Sequence, residues 1–117
     1  MMQTFVAVDL ETTGLRPKYD RILEIGALKV VNGELVETFQ TFVDPRMQIP
    51  ERITELTGIT QEMVDGQPQQ DQAVTSFLDL CGELPLIGHN ILFDYSFLKH
   101  QAVNLGREFE KEAADTL

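Results

Sequence analysis

The feature that most narrows the folds open to this chain is the pair Asn32-Gly33, set between two long runs rich in apolar and β-branched residues. Both residues tolerate the positive φ of a type I′ turn, so the pair is expected to join two antiparallel strands, at 21–31 and 34–43. The second of these stops at Asp44-Pro45. A short apolar run at 4–9 reads as a buried strand ahead of them, and Gly14 and Pro17 mark a loop over 12–20.

After Pro50 the apolar spacing becomes helical. A short helix at 51–57 is expected to end at Gly58, with a further turn near 61–64. Pro68 opens a longer helix in which Val74, Phe77, Leu78 and Cys81 share a face, with Gly82 as its stop. Residues 84–87 suit a buried parallel strand. Asn90 is expected to cap the next helix, where Ile91, Tyr95, Leu98, Ala102 and Leu105 form one stripe before Gly106. A last strand is expected at 110–117. Antiparallel strands followed by alternating helices and strands imply an α/β domain of three layers, a mixed sheet flanked by helices.

The 117 residues leave room for one domain, and an apolar share of 43% allows a modest core. No stretch approaches the roughly 18 apolar residues of a membrane span, and the N-terminus lacks the basic flank and cleavage site of a signal peptide. Cys81 is the one cysteine, so no intramolecular disulfide forms. The cytoplasm is the expected compartment. A net charge of −10 with nine Lys and Arg argues against a binder of long duplex, whose affinity comes from releasing phosphate counterions. An enzyme gripping one strand end through bound cations escapes that objection.

Asp9 and Glu11 lie two apart at the end of the first strand, which sends both side chains to one face and Leu10 to the other. An isolated pair of this kind is usually two solvated acids. Two carboxylates in close contact repel by about 4 kcal/mol at an effective dielectric near 20, unless a cation lies between them. Thr12, Thr13 and Gly14 follow directly, a loop able to turn main-chain N–H groups to a nucleotide. Asp94 falls in the first turn of the helix that begins after Asn90, where the helix dipole favours an ionised acid.

These segments resemble a known family. Asp9–Gly14 (DLETTG) is similar to the first motif of the DEDD superfamily, the DnaQ-like proofreading 3′→5′ exonucleases of bacterial DNA polymerase III. Arg21–Ala27 (RILEIGA) and Leu56–Thr60 (LTGIT) resemble the segments that follow it, and Gly88–Asp94 (GHNILFD) the second motif. The resemblance implies a ribonuclease H-like fold and a two-metal hydrolysis that releases nucleoside monophosphates from single-stranded DNA 3′ ends. It implies Asp9 as a ligand of both ions, Glu11 of the first and Asp94 of the second, with Mg²⁺ or Mn²⁺ as the hard cations suited to oxygen ligands. It also implies that Thr12, Thr13, Gly14 and Leu15 line the pocket of the 3′-terminal nucleotide, with Leu15 against its base. Leu56, Thr57, Asn90 and Phe93 are carried over to the same pocket, although Leu15 and Phe93 also suit plain packing.

The family's third motif, H-x-x-x-x-D or Y-x-x-x-D, supplies a fourth acid and a general base downstream of a strand like 113–117. No copy of it follows that strand within these 117 residues. The domain is therefore expected to be incomplete at its C-terminus and the chain alone to have little activity, with apolar surface uncovered where a helix is lost. Asp115 resembles an acid of the preceding strand rather than the missing ligand. Neither histidine is expected to replace the base: His89 reads as a packed, hydrogen-bonded imidazole, and His100 as an exposed residue turned away from Asp94. Two other readings compete, an RNA-trimming exonuclease of the same superfamily and a non-catalytic module that binds a polymerase subunit or domain. Three clustered acids have no use in the latter. A plain acidic metal-binding domain is a third.

Overall fold

The computed structural model describes residues 3–116. Its strands are β1 (Phe5–Thr12), β2 (Ile22–Val31), β3 (Glu34–Phe42), β4 (Leu86–Gly88) and β5 (Ala113–Asp115). Its helices are α1 (Glu51–Thr57), α2 (Gln61–Val64), α3 (Gln70–Cys81) and α4 (Ile91–Asn104). The five strands form one mixed sheet in the order β3-β2-β1-β4-β5, antiparallel across β3, β2 and β1 and parallel from β1 through β4 to β5. This is the ribonuclease H-like arrangement the motifs implied.

The hairpin forms where Asn32-Gly33 placed it. Their φ values are 52° and 79°, and Val31 pairs with Glu34 across the turn. Strand β1 runs further than its apolar run suggested, through Thr12, because Asp9, Leu10 and Glu11 pair with Gly26, Ile25 and Glu24 of β2. The last strand is shorter than expected, and Leu117 lies outside the described residues.

Alternation along β1 divides its side chains cleanly. Val6, Val8 and Leu10 are buried in the main core with Phe77 and Leu78 of α3 and Phe97, Leu98 and Ala102 of α4. A smaller core gathers Leu23, Ile49, Ile53, Ile59 and Val64, so α1 and α2 pack at the end of β2 and β3. Gln70 ties the helical layer to the sheet, its buried Oε1 accepting the Ile22 N–H at 2.8 Å.

The start of α4 differs from expectation. Asn90 sits at the N-cap position with φ 52° and ψ 48°, and its side chain makes no capping bond. A left-handed residue turns its side chain away from the first helical N–H groups, so another acceptor is needed. Asp115 supplies it: Oδ1 accepts the Ile91 N–H at 2.7 Å from the end of β5. Asp115→Ala is expected to cost about 1 kcal/mol in urea unfolding, and Asp115→Asn a fraction of that.

Candidate active site

The site grows from the end of β1. The face opposite the core carries Ala7, Asp9 and Glu11, which pair across the strands with Leu28, Gly26 and Glu24. Asp9 is exposed and Glu11 half-buried. Glu24 is a third acid on this face that motif reading passed over, because only the β1–β2 register sets it opposite Glu11. Gln40 of β3 holds it, donating from Nε2 to Oε2 at 2.9 Å. Burial, then the charge of Asp9, then that of Glu24 push the Glu11 carboxyl above its ordinary range.

Asp94 comes from α4. It is 4% exposed, and Oδ2 is buried without a hydrogen-bond partner among the described residues. Burial, first, and the Asp9 charge, second, raise its pKa to about 7; a Leu10 main-chain hydrogen bond pulls the other way, and Glu11 adds to the rise. Asp94 therefore lies within electrostatic reach of Asp9 and Glu11. Gly88 makes this approach of α4 possible, since a Cβ there would lie 2.7 Å from the Val8 carbonyl oxygen and 3.1 Å from Ile91 Cδ1.

Among the described residues no three Asp, Glu, His or Cys side chains are close enough to form one ion's ligand shell. The test of fit is Asp94 itself: a buried carboxylate oxygen with no donor costs about 1–3 kcal/mol, and a hard cation facing Asp9 and Glu11 would satisfy it. That unsatisfied oxygen is the feature of the site that suits a divalent cation.

The loop after β1 is more self-contained than expected. Thr13 is 1% exposed, its N–H donates to the Arg21 carbonyl at 2.8 Å, and its Oγ1 accepts the Arg21 N–H at 2.9 Å. It therefore offers a nucleotide neither main-chain N–H nor hydroxyl, and its part is to hold the loop shut. Gly14 permits close approach, but to Asp20, whose carboxylate atoms would lie 2.5–2.6 Å from a Cβ. Thr12 donates to the Gly14 carbonyl at 2.7 Å.

Leu15 and Leu56 stand 80% and 81% exposed, as residues awaiting a partner rather than packing ones. The Thr57 hydroxyl is engaged at the end of α1, donating to the Ile53 carbonyl at 2.8 Å and accepting the Ile59 N–H at 3.1 Å. Phe93 packs tilted on Phe97 at 5.1 Å, which favours a packing role, and Asn90 is exposed. His89 is exposed rather than packed, and none of the hydrogen bonds among the described residues involves its ring, because the turn from buried Gly88 to left-handed Asn90 directs it outward. His100 is half-buried instead of exposed. The sheet face beside Asp9 carries a groove of about 410 Å³ lined by Ala7, Gly26, Leu28, Thr38 and Gln40 among others, with Leu28 46% exposed.

A family model described as an exonuclease matches residues 6–117. The chain is 45% identical over 113 residues to the PolC-type DNA polymerase III of Clostridium perfringens and 38% identical over 115 residues to that of Thermotoga maritima. Each match covers 97% of this chain and 8% of the polymerase, so the chain spans less than a tenth of these relatives. Its fold superposes on E. coli exonuclease I in complex with a dA16 oligonucleotide with a TM-score of 0.81 at 18% identity, over 97% of this chain and 28% of that one. With its first motif at the end of β1 and its second running from β4 into α4, the chain belongs to the exonuclease family of the DEDD superfamily.

Proposed function

We propose that the chain is a metal-dependent 3′→5′ exonuclease domain that releases nucleoside 5′-monophosphates from single-stranded DNA, in the cytoplasm and attached to or associated with a DNA polymerase. The observation that carries this reading is the buried, partnerless Asp94 Oδ2 within the field of Asp9 and Glu11. The polymerase setting is supported by the PolC-type relatives, and the single strand by the oligonucleotide named with exonuclease I. No helix among the described residues is long and apolar enough to cross a membrane.

Asp9, Glu11 and Asp94 would hold two ions, Mg²⁺ or Mn²⁺, which when bound supply an activated water and stabilise the leaving 3′ oxygen. The chain's own residues set the stage. Strand β1 orients Asp9 and Glu11 to one side. Exposed Leu15 and Leu56 offer apolar surface to the terminal base, with Thr12, Gly14 and Asn90 nearby in the motifs.

Thymidine 5′-monophosphate is the reaction's product class and tests the reading without turnover. In calorimetry it should bind saturably in the presence of Mn²⁺, and Asp9→Ala should abolish the binding. With a 5′-labelled single-stranded oligonucleotide, shortening should run from the 3′ end in single-nucleotide steps. Nucleotide binding indifferent to Mn²⁺, or cleavage from the 5′ end, contradicts the proposal.

A further inference from the structure

The chain's few cations are unevenly placed. Of its nine Lys and Arg, four give their charged groups to protein acceptors. Lys29 Nζ donates to the Leu80 carbonyl, Lys99 to the Phe109 carbonyl and Glu110, Lys111 to the Leu84 carbonyl, and Arg107 pairs with Asp79. Three of the remaining five, Arg16, Lys18 and Arg21, fall within six residues of the loop that leaves β1, and all three are exposed. The loop begins two residues after Glu11, so this charge is concentrated beside the acids in a chain whose net charge is −10.

The tip of the loop is ordered from within. Arg16 N–H donates to Asp20 Oδ2 at 2.9 Å, Thr13 Oγ1 donates to Asp20 Oδ1 at 3.3 Å, and the Tyr19 and Asp20 N–H groups both donate to the Arg16 carbonyl. Asp20, the one acid of the loop, is thereby turned inward against Gly14. What remains outward is Tyr19, 63% exposed, with the Arg16 guanidinium 5.3 Å and the Lys18 ammonium 5.6 Å from its ring centre. An exposed ring flanked by two cations joins the two elements of sequence-tolerant single-strand binding, a stacking platform and a charge for the backbone. Tethering of the loop at Thr13, Gly14 and Asp20 means that little ordering entropy is lost on binding.

We infer that the exposed tip Arg16–Tyr19 is a second contact for single-stranded nucleic acid, where Tyr19 stacks on a base and Arg16 and Lys18 meet phosphates of the strand leading to the 3′ end. The inference rests on the exonuclease reading for the position of that end. It adds a surface outside the terminal-nucleotide pocket, and so a contact that a mononucleotide cannot use.

Fluorescence anisotropy of a 5′-labelled, phosphorothioate-linked oligothymidylate with a free 3′-OH, in Mn²⁺, tests it against calorimetry of thymidine 5′-monophosphate. Tyr19→Ala is expected to weaken oligonucleotide binding roughly tenfold, while Tyr19→Phe retains it. The double variant Arg16→Gln/Lys18→Gln should lower the slope of log affinity against log salt by about 1.4. Mononucleotide affinity should stay within twofold in every variant, and all substituted side chains are exposed, so unfolding midpoints should match the parent. Oligonucleotide binding unchanged in the variants, or no tighter than mononucleotide binding in the parent, overturns this surface alone. A parent that binds neither ligand overturns the exonuclease reading and this inference with it.

Discussion

Asp94→Asn is expected to stabilise the metal-free chain, and to do so more strongly as pH rises. The folded chain holds the Asp94 proton up to about pH 7, against an ordinary carboxyl value of 3.8. A folded-state pKa above the unfolded one means that the stabilising contribution is complete below the unfolded value and is lost as pH rises through the folded value. The window therefore runs from about pH 4 to pH 7. Above it, folding must bury an uncompensated charge at a cost of about 4 kcal/mol, which a neutral amide of the same shape avoids. In urea unfolding with chelator present, the variant's advantage should widen by about 2–3 kcal/mol between pH 5 and pH 8. Mn²⁺ should reverse the order, raising the unfolding midpoint of the parent and leaving the variant behind. An advantage that does not change with pH would mean that Asp94 is not held as a buried acid.

Gly88→Ala should have the other large effect. The added methyl would meet the Val8 carbonyl oxygen at 2.7 Å, and that oxygen belongs to the main chain of the central strand. It cannot swing aside as a side chain does, so β1 and β4 must part, at a cost of about 2–3 kcal/mol. Asp9 follows Val8 directly and α4 begins three residues after Gly88, so the separation falls between the two halves of the site. Mn²⁺ affinity should drop with stability. Gly26→Ala is the control: its Cβ would lie 3.8 Å from the Asp9 carbonyl, an ordinary contact, so melting and Mn²⁺ binding should stay near the parent's. Equal losses at both positions would trace the effect to strand propensity rather than to the β1–β4 approach.

What could be read before the fold was known follows a physical boundary. Asn32-Gly33, Gly58 and Gly82 act on their immediate neighbours, and the elements they delimit stand where periodicity placed them. Asp9 and Glu11 share a face because alternation along a strand is local too. Features that depend on partners distant in the chain were hidden. Asp115 caps α4 from 24 residues away, a role that local preference assigned to Asn90. Thr13 and Gly14 read as a surface for a ligand, yet their groups are engaged by Arg21 and Asp20 across the loop. Glu24 became part of the acidic face only through its register with Glu11. His89 was given a packed position by its motif and is outward because its neighbours' backbone turns it so.

The carboxylates of β1 and α4 are expected to act together on a divalent cation. Titration of Mn²⁺ into the chain by calorimetry at pH 8 measures this without any need for catalysis. Saturable binding that Asp9→Ala abolishes and Asp94→Asn strongly weakens is the predicted result. The absence of binding to the folded parent, or an unchanged isotherm in Asp9→Ala, would contradict it.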